Sequence, residues 1–290
     1  AGGFSQLIEQ LHSVDSNLLE PMGELGFSVA GVLSAVSFMG IGLAFLGAPQ
    51  LLTRFISASG RTQIVNGSLL AVICIIVFDV GAVFAGMAGR SLFPGLDDPE
   101  TILPTMASEL LPPVITGLFL VVVLAAIMST VDSLLILVSS AVVRDVVQKT
   151  LRSNLSDNRL SLYGKLTTVV IGAGALVLAL GEVRVVFWFV LFAWSGLACA
   201  FTPIVLCSLF WKRTTRAGAI VGMVSGFLTT VIWVLVFKAG FYDLYEMLPG
   251  FLVGFVTTIG VSLLTEPPAA AAEELEAMRA AVGHPFKGFP

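Results

Sequence analysis

The sequence predicts an all-α protein that crosses a membrane several times. Hydrophobic residues make up 57% of the 290 residues, and the mean hydropathy is +0.98. Only 12% of the residues are charged, about half of the roughly 25% that a soluble domain carries. Apolar runs of about 20 residues, the length that a helix needs to cross a bilayer, recur along the chain. The net charge of -4 is modest and indicates no nucleic-acid partner, so the predicted environment is the lipid bilayer.

Seven apolar segments have this length, and prolines, glycines and charged residues separate them. The predicted spans are residues 28–47, 67–88, 114–142, 163–180, 185–211, 218–237 and 249–265. The chain from residue 266 onward is polar and contains a short predicted helix, AAAAEELEAMRAAV. The pattern therefore predicts a seven-span protein with a solvated tail.

Lysine and arginine are distributed unequally between the two sets of connections. Ten of them follow spans one, three and five: Arg54, Arg61, Arg144, Lys149, Arg152, Arg159, Lys165, Lys212, Arg213 and Arg216. Three follow spans two, four and six: Arg90, Arg184 and Lys238. The positive-inside rule places the first set in the cytoplasm. We therefore expect a plasma-membrane protein, in a bacterium the inner membrane, with its N-terminus outside and its C-terminus cytoplasmic.

The first residues read AGGFSQLIEQ, without an initiator Met or a signal peptide. An outside N-terminus then leads us to expect earlier spans of the same protein, and a chain that is the C-terminal part of a longer transporter.

A polar stripe runs through the third span, in LAAIMSTVDSLLILVSS (residues 124–140). At about 100° per residue, Ala126, Ser129 and Thr130 share one helix face, and Asp132 and Ser133 continue it. An ionised group at the bilayer centre costs at least ~2.5–3.5 kcal/mol, so the stripe must face protein or water. Each hydroxyl could simply bond to the carbonyl one turn earlier or to another helix. The adjacent Ser–Thr pair also fits part of an oxygen shell for a hard cation such as Na⁺, and the pattern alone leaves both interpretations open.

Five stretches together resemble the sodium:solute symporter family and its sodium/proline branch. They are FLGAPQLLTRF (45–55), DDPETIL (97–103), LAAIMST (124–130), FAWSGLACAFTP (192–203) and LYEMLPGF (244–251). The resemblance implies the leucine-transporter-type inverted-repeat core. In that fold, residues 28–211 resemble core helices six to ten, residues 212–265 form two accessory helices, and residues 1–27 and 266–290 are an extracellular segment and a cytoplasmic tail. The first repeat would lie in the missing N-terminal helices.

The same resemblance implies sodium-coupled symport of a small organic solute, proline or another amino acid, by alternating access, and no enzymatic activity. Na⁺ would be the transported coupling ion. By resemblance, Ala126 supplies a backbone carbonyl to the sodium site, and Ser129 and Thr130 supply two hydroxyls. The remaining ligands come from the first core helix of the family.

The first span resembles the substrate-binding helix of the family. Its sequence, SAVSFMGIGLAFLGAP, has the glycine interruptions of an unwound binding helix, although small residues can also serve helix packing. The residues implied on the substrate side are Ser37, Phe38, Gly40, Ile41, Phe45 and Pro49. Ile41 and Phe45 stand where the proline branch has Trp and Tyr, which leaves the identity of the solute open.

Other polar or aromatic residues within the spans are further candidates. Asp79 and Asp132 are intramembrane carboxylates, which are functional candidates by default but can also be neutral and hydrogen-bonded. Ser133 continues the stripe. Trp194 and Ser195 close the site from its outer side by family analogy, with ordinary packing as the alternative. A seven-helix receptor and a symporter-like membrane sensor are the competing functions.

Overall fold

The structure is a computed structural model, and it confirms the all-α membrane class. It describes residues 3–20, 22–151, 155–181, 186–241 and 244–282, without the side chains of residues 44, 279, 281 and 282. Within these ranges the regular structure is helical, and seven helices are long and apolar enough to cross a membrane. These spans are Val29–Gly47, Arg61–Leu92, Pro113–Thr150, Asp157–Ala179, Val186–Phe210, Arg216–Gly240 and Met247–Leu264. Arg152 and Arg184, which count toward the predicted orientation, lie outside the described residues, and the orientation stays a prediction.

In chain order, the α-helices are α1 (Phe4–Val14), α2 (Val29–Met39), α3 (Ile41–Gly47), α4 (Pro49–Ile56), α5 (Arg61–Leu92), α6 (Ile102–Leu110), α7 (Pro113–Ser140), α8 (Asp157–Ala179), α9 (Val186–Phe210), α10 (Arg216–Ile232), α11 (Met247–Leu264) and α12 (Ala271–Val282). They belong to two compact units, which are described separately.

The first unit comprises Ala1–Leu18 and Gly60–Val186. In it α1 packs against α5, α5 against α6, α6 against α7, and α7 against α8. Beyond Ser140, α7 continues as a π-helix over Ala141–Thr150. Most apolar side chains of α5, α7 and α8 are exposed, as expected for helices whose surroundings are lipid or other membrane helices.

The second unit comprises Leu19–Ser59 and Phe187–Pro290. Its core is a cluster of buried side chains contributed by α9, the start of α11 and the residues just before α11. The cluster consists of Leu191, Ala198, Cys199, Tyr245 and Met247, with Phe38, Ile41, Leu43, Trp194 and Phe251 packed around it. Residues of the first span and of α9 therefore meet the segment that precedes α11.

Close backbone contact joins α10 to α11 in this second unit. A Cβ atom on Gly222 of α10 would lie 1.8 Å from Thr258 Oγ1 and 3.1 Å from the Gly254 carbonyl oxygen, both in α11. Glycines at helix interfaces let backbones approach in this way, which is a common packing mode in membranes. Helices α10 and α11 are therefore in contact at glycine positions where a larger residue has no room.

Candidate functional site

The predicted sodium ligands lie together on one exposed face of α7. The Thr130 hydroxyl donates a hydrogen bond to the Ala126 carbonyl, with 3.2 Å between the two oxygens, and the Ser133 hydroxyl donates to the Ser129 carbonyl at 2.9 Å. The hydroxyl of Ser129 makes no hydrogen bond to any residue that the structure describes.

The two interpretations of the stripe are compatible with each other at this geometry. A hydroxyl that donates its proton to a carbonyl keeps both of its lone pairs, and the carbonyl keeps its second one. Ala126 O and Thr130 Oγ1 are therefore neighbouring acceptors that one cation could contact at the same time. The hydroxyl of the adjacent Ser129 is a third oxygen on the same exposed face, and these residue types fit part of a sodium shell.

The two intramembrane carboxylates differ in where they lie. Asp132 follows the hydroxyl cluster on α7, whereas Asp79 is on α5, and both are exposed. Neither makes a hydrogen bond or ion pair with any residue in the described ranges. Because a carboxylate cannot face lipid cheaply, each must meet water or another polar group. Their functional roles stay predictions.

The substrate-side segment is interrupted where the glycine pattern predicts. Helix α2 ends at Met39, Gly40 separates it from α3, and Ala48 separates α3 from α4, which begins with Pro49. Gly40 keeps helix-like dihedrals, φ -59° and ψ -18°, and its carbonyl accepts a hydrogen bond from Leu43 N at 2.8 Å. The interruption is therefore a tight turn and not a long unwound stretch.

Glycine also serves helix packing in this segment, which is the alternative interpretation of the glycine pattern. A Cβ atom on Gly47 would lie 2.4 Å from the backbone nitrogen of Thr202 in α9. The Thr202 hydroxyl donates to the Leu43 carbonyl at 2.8 Å. The first span is thus fixed to α9 by a close approach and by a hydrogen bond to a carbonyl near its interruption.

Ser37 and Phe38 both contact Tyr245, which lies just before α11. Ser37 is fully buried, and its hydroxyl donates to the Ser34 carbonyl at 2.7 Å and accepts from the Tyr245 backbone N–H at 3.4 Å. The Phe38 ring stacks on the Tyr245 ring, with 5.3 Å between centroids and 5° between planes. Both predicted residues therefore have defined positions against one aromatic side chain.

The other substrate-side candidates lie along α3 and the start of α4. Ile41 packs against the core of the second unit, and the Phe45 ring stacks on Trp194 of α9 at 5.2 Å. Pro49 occupies the first turn of α4, where its missing N–H costs nothing. Next to it, the Oε1 atom of Gln50 is buried and has no hydrogen-bond partner among the described residues. A buried acceptor without a partner is uncommon in proteins, so Gln50 joins the candidates.

Trp194 and Ser195 have different surroundings although they are adjacent. Trp194 contacts the substrate-side segment through Phe45. Ser195 is fully buried, and its hydroxyl donates to the Phe192 carbonyl at 2.8 Å. Trp194 therefore packs on Phe45, whereas Ser195 fills a position inside the core, and their roles at a solute site stay predictions.

The sequence analysis missed a buried polar group at the start of α11. Glu246 is 1% exposed and forms an ion pair with Lys238 at 2.9 Å, and the Lys238 ammonium lies 5.3 Å from the centre of the Trp188 ring. The Tyr245 hydroxyl donates to the Leu191 carbonyl at 2.9 Å. The available signal was an acidic residue beside a Tyr in the otherwise apolar LYEMLPGF, which served only for the family resemblance.

Burial raises the pKa of the Tyr245 phenol above its ordinary value, and the negative charge of Glu246 adds to this effect. The phenol is therefore neutral at physiological pH and acts as a hydrogen-bond donor to α9. The Lys238–Glu246 pair, the Tyr245 side chain and its contacts with Ser37 and Phe38 form one continuous polar and aromatic cluster, which we call the α11 cap.

Comparison with known proteins agrees with these features. Residues 1–226 match the Sodium:solute symporter family. The High-affinity proline transporter PutP of Bacillus subtilis is 36% identical over 275 residues, which cover 93% of this chain and 56% of the relative. The Sodium/proline symporter of Salmonella typhimurium is 34% identical over 281 residues, covering 94% of this chain and 54% of the relative. The Osmoregulated proline transporter OpuE of Bacillus subtilis is 32% identical, with 94% and 56% covered. The chain spans about half the length of these curated relatives, and it belongs to the sodium:solute symporter family.

Proposed function

We propose that the protein is a sodium-coupled symporter that takes up a small organic solute, proline or another amino acid, by alternating access. The observation that carries this proposal is the oxygen cluster on α7, in which Thr130 Oγ1 lies 3.2 Å from the Ala126 carbonyl and next to Ser129. Membership in a family of transporters supports transport over the receptor and the sensor. It also supports the absence of enzymatic chemistry.

The chain would contribute the second repeat and two accessory helices of this symporter. The relatives are longer, and this chain covers only 54–56% of those named above. Further helices of the same protein would supply the sodium ligands that α7 does not. The proposed location is the bacterial inner membrane, with the C-terminal tail in the cytoplasm.

Coupling would arise because Na⁺ and solute stabilise the same conformation. Na⁺ bound at Ala126, Ser129 and Thr130 would favour the outward-open form, and the solute would then bind along the segment from Ser37 to Gln50. Such coupling is a free energy shared between two binding sites, and by linkage each ligand must strengthen the binding of the other.

The test is sodium-dependent uptake by the complete gene product. The double variant Ser129→Ala and Thr130→Ala removes two oxygen ligands, and we expect the half-saturating Na⁺ concentration to rise by at least about tenfold, a change of roughly 1.4 kcal/mol. Solute uptake at saturating Na⁺ should fall much less. Labelled proline and a panel of other amino acids would be compared at graded Na⁺ concentrations.

A matched control exists in the accessory helices. Ser225 and Thr257 form a hydroxyl pair at 2.6 Å between α10 and α11, and removing both partners of a hydrogen bond is often nearly neutral. The variant Ser225→Ala and Thr257→Ala therefore removes the same two hydroxyl types away from α7. An unchanged sodium dependence in the α7 variant, or an equal change in the control, would refute the sodium assignment.

A further inference from the structure

A cavity opens between the end of α7 and the start of α8, away from the proposed sodium ligands. Its volume is about 520 Å³. Hydroxyl and charged side chains line it together with apolar residues that include the buried Val143 and Leu160. The polar lining residues that matter here are Ser140, Arg144, Asp157, Ser161, Lys165 and Thr168.

The backbone at this cavity departs from an ordinary α-helix. The chain runs as a π-helix from Ala141 to Thr150, and Leu151 N bonds to the Val146 carbonyl, five residues earlier. Wider turns of this kind are frequently found at functional sites. The widened helix carries Arg144, so one of the two cations of the cavity is presented by this irregular segment.

The two cations at the cavity have spare hydrogen-bonding capacity. The Arg144 guanidinium donates one weak hydrogen bond to Gln148, at 3.4 Å. The Lys165 ammonium has no hydrogen bond or ion pair with a residue in the described ranges. One carboxylate, Asp157, also lines the cavity, which leaves a formal surplus of one positive charge. The neighbouring Lys149 is neutralised by Asp145 at 2.8 Å.

The cavity lies at a membrane boundary whichever way the chain is oriented. It lies where the span Pro113–Thr150 ends and the span Asp157–Ala179 begins. Because the chain must leave the bilayer between two consecutive spans, we expect the cavity near the lipid headgroups. Guanidinium and ammonium groups bind phosphate oxygens, and hydroxyls can donate to the same oxygens. Basic pockets between membrane helices are suited to the headgroups of anionic lipids.

We propose that this cavity binds a phosphate oxyanion, held by Arg144 and Lys165 with help from the hydroxyls of Ser140 and Ser161. The phosphodiester of an anionic phospholipid and free inorganic phosphate share this chemistry. The apolar lining residues and the expected position near the headgroups suit the phospholipid, whose glycerol and first methylenes can contact Val143 and Leu160.

The test measures lipid retention by the purified complete gene product in mild detergent, using native mass spectrometry. Phosphatidylglycerol, phosphatidylcholine and inorganic phosphate would be titrated separately. We expect the Arg144→Gln and Lys165→Gln double variant to bind phosphatidylglycerol roughly 30-fold more weakly, since each basic residue near an anionic headgroup contributes about 1 kcal/mol. Phosphatidylcholine binding should be weak in both proteins.

Two further variants make the result specific. Arg213→Gln with Arg216→Gln removes two exposed cations predicted on the same membrane face but outside the cavity, and it should retain phosphatidylglycerol as the parent does. Ser161→Trp fills the cavity without changing its charge and should also weaken retention. Elution as a single size-exclusion peak checks that each variant is folded.

Each outcome decides the proposal. Loss of phosphatidylglycerol in the cavity variants but not in the control supports a lipid site, and loss of phosphate binding alone supports a site for a soluble phosphate. If the cavity variants bind every probe as the parent does, or if the control loses as much, the proposal is wrong. The readout is binding and not transport, so it does not depend on the sodium assignment.

Discussion

The ion pair of the α11 cap predicts an asymmetric response to removal of its two partners. The Glu246 side chain is 2% exposed, whereas that of Lys238 is 23% exposed. Lys238→Met leaves a carboxylate buried without its counter-charge, and breaking a buried pair in this way costs roughly 3–5 kcal/mol. Glu246→Gln leaves an ammonium that reaches water and still lies 5.3 Å from the Trp188 ring centre, so we expect a loss of only about 1–2 kcal/mol.

The double variant should be more stable than the sum of the single variants predicts. Lys238→Met with Glu246→Gln buries no unpaired charge, and replacing both members of a buried pair is often close to neutral. We therefore expect the double variant to lie within about 2 kcal/mol of the parent and above Lys238→Met. This order follows from the exposures of the two side chains, because burial decides which remaining charge is costly.

Thermal unfolding in detergent, followed by fluorescence-detected size exclusion, measures these differences. At roughly 2–4 °C per kcal/mol for a chain of this size, Lys238→Met should lower the midpoint by about 6–20 °C and Glu246→Gln by about 2–8 °C. Lys149→Met is the control, since its ion pair with Asp145 is exposed, at 74% and 60%, and such pairs contribute little. A Glu246→Gln loss as large as that of Lys238→Met, or additive losses in the double variant, would refute the reasoning.

Two other predictions concern the second unit. Gly222→Ala places a methyl group 1.8 Å from Thr258 Oγ1, whereas a Cβ on Gly260 meets nothing within 4 Å. We therefore expect Gly222→Ala to lower the unfolding midpoint by several degrees. Gly260→Ala should leave the midpoint unchanged or raise it, since Ala favours helix over Gly by about 1 kcal/mol. Because the pKa of Tyr245 is raised in the folded protein, the neutral phenol contributes its full stabilisation at every pH below the ordinary pKa of about 10. This stabilisation is lost as the pH rises through the pKa that Tyr245 has in the folded state. The ultraviolet phenolate absorbance that disappears in Tyr245→Phe should therefore develop at higher pH than that of free tyrosine, and development at the free value would contradict the burial argument.

The spans and the interruption of the first span could be predicted from the sequence because both depend on local properties. A run of about 20 apolar residues has few alternatives to a membrane helix, and the glycines around residue 40 permit a turn within it. The structure places the interruption at Gly40 and limits it to one turn. The contact that fixes this segment to α9 could not be predicted, since the hydrogen bond from Thr202 to the Leu43 carbonyl joins residues 159 positions apart.

The α11 cap could not be predicted for the same reason. Tyr245 contacts Ser37 and Leu191, and Glu246 contacts Lys238. The sequence shows that an acidic residue lies in an apolar stretch, but it does not show which cation or helix that residue contacts. The oxygen cluster on α7 is the opposite case, because Ala126 and Thr130 are one turn apart and helical geometry alone brings their oxygens together.

The contrast between the long-range contacts of the α11 cap and the local oxygen cluster on α7 bears on how coupling between Na⁺ and solute would work. Ser37 and Phe38, proposed on the substrate side, are held by contacts with the buried Tyr245, whereas the residues that supply the three oxygens of α7 are exposed, and three oxygens are only part of a cation shell. A hard cation recruits further oxygens, so at the proposed site Na⁺ would bind tightly only when another element brings such oxygens to Ala126, Ser129 and Thr130. A site that is complete in one conformation and incomplete in another gives the ion a differential affinity, and that difference is the only means by which a ligand can shift a conformational equilibrium. The incompleteness of the α7 cluster is thus the property that would let Na⁺ control access to the solute site.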